Sequence, residues 1–411
     1  MENERIKTET ISAKQRLKAV ADKALQDAFD AKARGEKIGW CSSNFPVEIP
    51  ETLGLCVVYP ETQAAGIAAR GGGERMCRQA EADGYSNDIC AYARISLAYA
   101  KGNRPAEQDL PAPDFLLCCN NICNCVMKWY ENLAQDLKIP LIFIDVPFNP
   151  DYTVSEAEID YIADQFADAV KQLEEITGQK WDEDRFREVM GISVRCSRAW
   201  LDATACARYQ PSPFNGYDLF NHMAVMVTAR GKKEAAEAME TLLSEYEQNH
   251  AKGISTFKGE EKHRIMLEGI ACFPYLRFTS STLRDLGINV VSTVYVDTFG
   301  YVYKGFRDLC RAYVEITNCY SLEVGRDRRI KLFRNNGIDG LLVHTNRSCK
   351  LWSGFMPELA RQIGADRNVP VVFFDGDQAD PRNFSEAQYA TRVQGLAEIM
   401  STRKEMKGDE T

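Results

Sequence analysis

The sequence predicts an α/β protein built on two parallel sheets, and three observations carry that expectation. Short apolar runs such as Leu53–Tyr59 (LGLCVVY), Pro140–Val146 (PLIFIDV) and Val369–Phe374 (VPVVFF) are continuous rather than alternating. That is the pattern of strands covered on both faces. Helical stretches fall between the runs, as crossover connections between parallel strands require. The alternation occurs twice, on either side of residues 154–254, which read as helix. The expected organisation is an N-terminal helix over 1–36, a first α/β domain over 37–153, a helical segment over 154–254 and a second α/β domain over 255–411. Both sheet domains are expected to be of Rossmann or flavodoxin type.

Taken in order, Ile6, Ile11, Leu17, Val20, Ala21, Leu25 and Phe29 recur at helical spacing, so one helix is expected over 6–36, ended by Gly35. Strand Leu53–Tyr59 follows. Helices are expected over Glu74–Asp83 and Asp88–Ala100, with Asp88 as N-cap of the second. Strand Pro113–Cys119, helix Ile122–Leu137 and strand Pro140–Val146 complete the first half. Ser155–Gly178, Asp182–Ala207 and Lys232–Asn249 are long helical patterns, and Asn215–Gly216 reads as a turn. In the second half, strands are expected at Ile288–Val296, Gly340–His344 and Val369–Phe374. Helices are expected at Phe306–Ile316, Cys349–Ile363 and Ser385–Lys404, the last opening on the capping box Ser385-Glu-Ala-Gln388.

Composition narrows the function classes. The chain has 411 residues, 45% of them hydrophobic and 27% charged, with a net charge of −9. Acidic and basic residues are interspersed, which argues against nucleic acid or an anionic membrane as the main partner. The charged N-terminus does not resemble a signal peptide, and no apolar run reaches the roughly 18 residues of a membrane span. A cytoplasmic protein is expected. Fourteen cysteines in such a chain read as buried thiols or metal ligands rather than disulfides. A phosphate-binding G-x-x-x-x-G-K loop is missing, and Gly71-Gly72-Gly73 does not fit a dinucleotide fingerprint.

Three cysteines share one expected address. Cys90 falls in the first turn of the helix starting at Asp88, and Cys123 and Cys349 each open a helix after a strand; in an open α/β sheet such helix starts lie at the edge where ligands bind. The positive end of a helix dipole favours a thiolate there. Three thiolates could hold an iron–sulfur cluster and leave one iron open, the mark of a catalytic rather than a structural site. Inert packing is the competing reading, because free cysteine is among the most buried residue types. A local set of Cys119, Cys123 and Cys125 is a rival with unusual spacing. Zinc is another, disfavoured because the usual C-x2-C pairs are absent and there are only four histidines.

Several motifs, in order, resemble one family. They are Gly39–Pro46 (GWCSSNFP), Tyr59–Gly66 (YPETQAAG), Asp88–Arg94 (DICAYAR), Leu117–Asn124 (LCCNNICN) with Lys128–Glu131 (KWYE), Lys258–Lys262 (KGEEK) with Glu268–Ile270 (EGI), Asn346–Lys350 (NRSCK) and Asp375–Arg382 (DGDQADPR). Across nearly its whole length the chain resembles α-type subunits of the 2-hydroxyacyl-CoA dehydratases, relatives of 2-hydroxyglutaryl-CoA dehydratase and benzoyl-CoA reductase subunits. The resemblance implies a [4Fe–4S] cluster on Cys90, Cys123 and Cys349, with the fourth iron open. Cys118, Cys119 and Cys125 would then be neighbours or packing residues.

The implied reaction removes water from an (R)-2-hydroxyacyl-CoA to give an (E)-2-enoyl-CoA. The difficulty is chemical: the departing proton is β to the thioester and not acidic. One electron added to the thioester gives a ketyl radical anion that expels the α-hydroxyl, after which the β-hydrogen is far more acidic. By resemblance Ser43 and Glu61 lie near that hydroxyl, as hydrogen-bond donor and acid/base. Without it, Ser43 reads as a turn cap and Glu61 as a carboxylate at a helix start. The Asp375–Arg382 loop is a candidate cleft wall, and Lys258, Lys262 and Arg264 read either as a solvated loop or as contacts for CoA phosphates.

The resemblance also implies a heterodimer with a paralogous β subunit and an ATP-dependent iron–sulfur activator as electron donor. Gly39–Pro46 and Lys350–Leu359 are most similar to members acting on aryllactyl-CoA. A benzoyl-CoA-reductase-like subunit and a non-catalytic scaffold subunit are the competing classes.

Overall fold

The structure is a computed structural model and describes residues 11–408. Helix α1 spans Ala13–Ala33, capped by Ser12 in a capping box with Gln15. It is shorter than the expected 6–36, of which residues 6–10 lie outside the described residues. The first half then runs β1 (Ile38–Cys41), α2 (Glu48–Thr52), β2 (Cys56–Val58), α3 (Pro60–Ala69), α4 (Gly73–Ala82), α5 (Ala91–Ala100), β3 (Phe115–Cys119), α6 (Asn124–Leu137) and β4 (Leu141–Ile144). Four helices follow: α7 (Glu156–Thr177), α8 (Glu183–Ala205), α9 (Gly216–Thr228) and α10 (Lys233–Ala251). The second half runs β5 (His263–Glu268), α11 (Leu276–Asp285), β6 (Ile288–Thr293), α12 (Tyr295–Thr298), α13 (Phe306–Val314), α14 (Leu322–Asn336), β7 (Gly340–Asn346), α15 (Lys350–Arg367), β8 (Val371–Gly376) and α16 (Glu386–Gly408).

Each sheet has four parallel strands. The first has the order β2-β1-β3-β4 and the second β6-β5-β7-β8, so the two halves repeat one topology. In both, the order reverses between the first and third strands of the sheet, which opens a crevice at their carboxyl ends. The apolar runs behave as strands covered on both faces. Phe115, Leu117 and Cys119 of β3 point into one core, while Leu116 and Cys118 point into another with α3, α5 and α6. Side chains alternate across a strand, so a run apolar at every position fills both layers. Full burial of a side chain such as Phe115 stabilises by about 1.5–3 kcal/mol.

Two of the four central strands, β1 and β5, did not declare themselves as apolar runs. In β1, Gly39 takes the place of a branched residue because the Phe115 ring of β3 presses on its backbone, and a Cβ there would overlap the ring. In β5, His263, Arg264 and Glu268 are buried. Glu268 Oε1 accepts from Arg329 at 2.7 Å, and the Arg264 side chain donates to the Asn336 carbonyl at 3.0 Å. Asn215–Gly216 proves to be a helix start rather than a plain turn: the Asn215 side chain caps α9, accepting from Tyr217 N–H at 3.0 Å.

The halves meet on polar contacts. Arg94 of α5, wholly buried, lies 2.7 Å from Glu81 and 2.9 Å from Asp380. Gly73 abuts the Ala379 carbonyl so closely that a Cβ has no room. Among the described residues no helix is long and apolar enough to cross a membrane.

Candidate active site

The carboxyl ends of the strands set the chemistry. Cys90 is the N-cap residue of α5, Cys123 of α6 and Cys349 of α15. Cys90 was expected in the first turn of a helix starting at Asp88. Instead the helix starts at Ala91, and Asp88 pairs with Lys350 at 2.9 Å. A cap residue leaves the helical path with its side chain at the mouth of the helix, where backbone N–H groups lack partners. Cys123 Sγ accepts one of them, from Val126, at 3.4 Å.

All three thiols line one cavity of about 800 Å³. Nine of the fourteen cysteines are buried, and of the five half-buried ones Cys90, Cys123, Cys125 and Cys349 are on this wall. Cys118 and Cys119 are wholly buried. Cys119 Sγ donates to the Asn44 carbonyl at 3.1 Å, so the local set of Cys119, Cys123 and Cys125 is not assembled.

The thiols do not behave as their helix-start position predicts. Burial pushes Cys123 up to about 12 and Cys349 up to about 11, against weaker lowering by backbone N–H groups. Cys90 is also raised, first by donating to Cys125 and then by burial; Cys125 is lowered by accepting that hydrogen bond. Desolvation outweighs the dipole, so the three caps hold protons that a metal must displace.

Ser43 follows β1 and Glu61 opens α3 after β2, and the structure brings the two together. Ser43 N–H donates to Glu61 Oε1 at 3.0 Å, and the Tyr130 hydroxyl donates to Oε2 at 3.3 Å. Both Ser43 and Glu61 line the same cavity as the thiols. Glu61 keeps some surface there but lies deep in the protein, with no cation within ion-pair distance among the described residues. Burial raises it to about 7, only partly offset by the Ser43 and Tyr130 hydrogen bonds. At neutral pH it can therefore give or take a proton.

The Asp375–Arg382 loop reaches the thiols from the second half. Gln378 Nε2 donates to Cys90 Sγ at 3.3 Å and to Ser348 Oγ at 3.0 Å. Ser348 Oγ in turn accepts from Ala91 N–H at 2.9 Å, and Ser348 N–H donates to Asp377 at 3.0 Å. The loop fixes the start of α5, and with it Cys90. Lys258, Lys262 and Arg264 do not line the cavity, whereas Lys14, Lys18 and Arg70 do. Arg264 is instead a buried structural residue.

The family model described as 2-hydroxyglutaryl-CoA dehydratase, D-component, matches residues 42–400. The chain belongs to this family. It is 54% identical to the (R)-phenyllactyl-CoA dehydratase alpha subunit of Clostridium sporogenes, over 96% of this chain and 97% of that one. It is 45% identical to the (R)-2-hydroxyglutaryl-CoA dehydratase alpha subunit of Acidaminococcus fermentans, over 96% and 98%. Identity falls to 29%, over 91% of both chains, for a benzoyl-CoA reductase subunit of Thauera aromatica.

For a member of this family, the donor set bears on what the cavity can hold. Among the described residues, no three His, Cys, Asp or Glu side chains converge to hold a single metal ion. A cubane makes a different demand, since each thiolate meets a separate iron and the sulfurs stay apart. Thiols at three helix starts around one cavity suit soft iron–sulfur chemistry better than a hard cation. The residues present fit such a cluster.

Sequence reasoning did not single out Tyr130, Gln378 or Ser348, although all three fall inside the quoted motifs. It set Cys125 aside as a neighbour or packing residue, and the structure places that thiol on the cavity wall against Cys90. His222, buried on α9, also lines the cavity, with Nε2 unpartnered; nothing in its surroundings in sequence marks it.

Proposed function

We propose that this chain is the α-type subunit of an oxygen-sensitive (R)-2-hydroxyacyl-CoA dehydratase, a hydro-lyase forming an (E)-2-enoyl-CoA. The observation that carries the reading is the convergence of three cap thiols and a near-neutral Glu61 on one cavity. Cys90, Cys123 and Cys349 would hold a [4Fe–4S] cluster, which when bound supplies one-electron transfer and a Lewis-acidic iron. The chain's own residues do the rest. Protonated Glu61 gives its proton to the departing α-hydroxyl, and the Ser43 hydroxyl orients that group. Tyr130 holds Glu61 in place. An electron added to the thioester makes the hydroxyl a leaving group and the β-hydrogen acidic; the Glu61 carboxylate left by the first transfer takes the β-proton and is restored, and the electron leaves again as the enoyl product forms, so none is consumed.

The acyl group is best read as aryl. Trp129, Phe220, Phe273, Tyr295, Phe299 and Trp352 line the cavity, and aromatic faces favour an aromatic guest. An aryllactyl-CoA such as phenyllactyl-CoA fits this lining, and Lys14, Lys18 and Arg70 supply positive charge for CoA phosphates. A paralogous β subunit and an ATP-dependent iron–sulfur activator complete the proposed system.

The test begins with iron and acid-labile sulfide on anaerobic protein. About four of each are expected, with loss in Cys349→Ala. Dehydration of phenyllactyl-CoA, with β subunit and activator present, should then proceed without net electron consumption. Net reduction of benzoyl-CoA would favour the reductase reading instead. A reconstituted chain that takes up no iron would leave the scaffold reading.

A further inference from the structure

The cavity that the thiols line does not end at them. Its wall follows α3 from Glu61 at the helix start to Arg70 at the C-cap, nine residues on, or about 13 Å at the rise of an α-helix. Three side chains of this cavity are more than nine-tenths buried and carry a polar atom with no partner among the described residues. They are Gln63 Oε1, Trp129 Nε1 and His222 Nε2. A buried donor or acceptor left unmade costs the full desolvation of that group, and a buried indole N–H ordinarily finds an acceptor. Three around one cavity point to a guest that completes them.

We propose that these three side chains bind the amides of the arm joining an acyl-CoA thioester to its phosphates. The Trp129 indole donates to an amide carbonyl, Gln63 Oε1 accepts from an amide N–H, and His222 Nε2 makes the further bond that its tautomer allows. The assignment rests on the acyl-CoA reading above and deepens it.

Helical spacing puts Trp129 where such an arm would pass. It lies four residues after Cys125 and three after Val126, so it extends the stripe of α6 that faces the cavity. It stands six residues beyond the cap Cys123, about 9 Å along the helix axis. Its N–H therefore meets a part of the guest away from the reacting thioester. Gln63 is steadied from behind: its Nε2 donates to the Gln108 carbonyl at 3.2 Å, which leaves Oε1 as the free acceptor. At the far end Arg70 donates to the Glu107 carbonyl at 3.2 Å and to Gln108 Oε1 at 2.8 Å rather than to a carboxylate. Its charge is left for an anion.

The atom types match the guest. The arm of an acyl-CoA carries two amides in an otherwise apolar chain, each with one donor and one acceptor. The wall offers a donor, an acceptor and a ring nitrogen that serves as either. A free acyl chain of the same reach would leave all three unmade.

The experiment titrates 3-phenylpropionyl-CoA, which lacks the leaving hydroxyl, into the anaerobic full chain, alone and with the β subunit, and reads the dissociation constant by calorimetry. Trp129→Phe, Gln63→Met and His222→Phe should each weaken binding about 2–10-fold. Trp181→Phe is the control, because that indole lies outside the cavity and already donates to Glu183 at 2.8 Å; it should bind as wild type does. Ultraviolet resonance Raman adds a signature that a packing role would not move. Saturating ligand should shift the indole N–H hydrogen-bond band of wild type, a reading that needs no variant to fold, and the shift should be missing in Trp129→Phe. A wild-type band that stays put under saturating ligand would overturn the assignment, as would wild-type affinity in any of the three variants. A wild type that binds no acyl-CoA in either state removes the acyl-CoA reading and this inference together, whereas tight binding with an unmoved band removes the inference alone.

Discussion

Two buried carboxyls of the first half, Glu48 and Glu61, invite comparison. Glu48 of α2 is fully enclosed. It accepts from Ser193 at 2.7 Å, Tyr303 at 2.9 Å and Tyr313 at 2.8 Å, and Arg230 stands 3.4 Å away. Burial alone would raise it, but Arg230 and the hydroxyls more than offset that and hold it below the usual carboxylate range. Glu61 has the Ser43 N–H and the Tyr130 hydroxyl but no guanidinium, and settles at about 7. Similar burial thus yields a permanent anion in one place and a titrating acid in the other. The counter-ion decides between them.

The largest effect expected from breaking this contrast is at Glu48. Glu48→Gln leaves Arg230 charged and unpaired in the interior, at a cost of about 3–5 kcal/mol, read by denaturant unfolding. A loss under about 1 kcal/mol would mean that the pair is as weak as an exposed one.

Glu61→Gln should act in the opposite direction on stability. The folded pKa lies above the unfolded value, so the contribution of Glu61 to stability is fully present at low pH and is lost as pH rises from about 4.5 to about 7. Removing the acid relieves that loss, a gain on the order of 3 kcal/mol above pH 8 that vanishes below pH 4. Dehydration by the complete enzyme should fall about 10²–10⁴-fold. A variant no more stable than wild type at pH 8 would contradict the uncompensated burial of Glu61.

The pH profile sharpens the same point. The acid form of Glu61 is the competent one, so kcat/KM of wild type should fall as pH rises through about 7, and Glu61→Gln should lack that arm. Tyr130→Phe removes a donor that favours the ionised form. The arm should move upward by less than about one pH unit, since one hydrogen bond is worth about 0.5–1.5 kcal/mol. Ser43→Ala should move it least, because the backbone N–H remains on Glu61.

What the sequence made legible follows the same logic of partners. Apolar strands such as β3 and β4 announce themselves because their neighbours are oil. The central strand β5 does not, because its His263, Arg264 and Glu268 are satisfied by residues far along the chain, Arg329 and Asn336 among them. Central β1 hides for a steric reason, the Phe115 ring against Gly39. At the site, Cys90, Cys123 and Cys349 could be picked out because a helix start is a local pattern, and Cys123 and Cys349 also follow strands. Their protonation could not, since it depends on depth, which only the packed fold sets. Cys125 was passed over because its place on the cavity wall is set by the packed fold.

Arg94 carries one more consequence, and it concerns the order of manufacture. Its carboxylate partner Asp380 is 286 residues downstream, and the Gln378 that braces Cys90 comes from the same late loop. At roughly 5–20 residues per second, the ribosome needs about 15–60 s to cover that distance. Through that interval the nascent first half carries a guanidinium destined for burial without its Asp380 partner, and the Cys90 thiol stands without its Gln378 wall. The pocket is therefore a late product of translation, and whatever loads it has to wait for the tail of the second half.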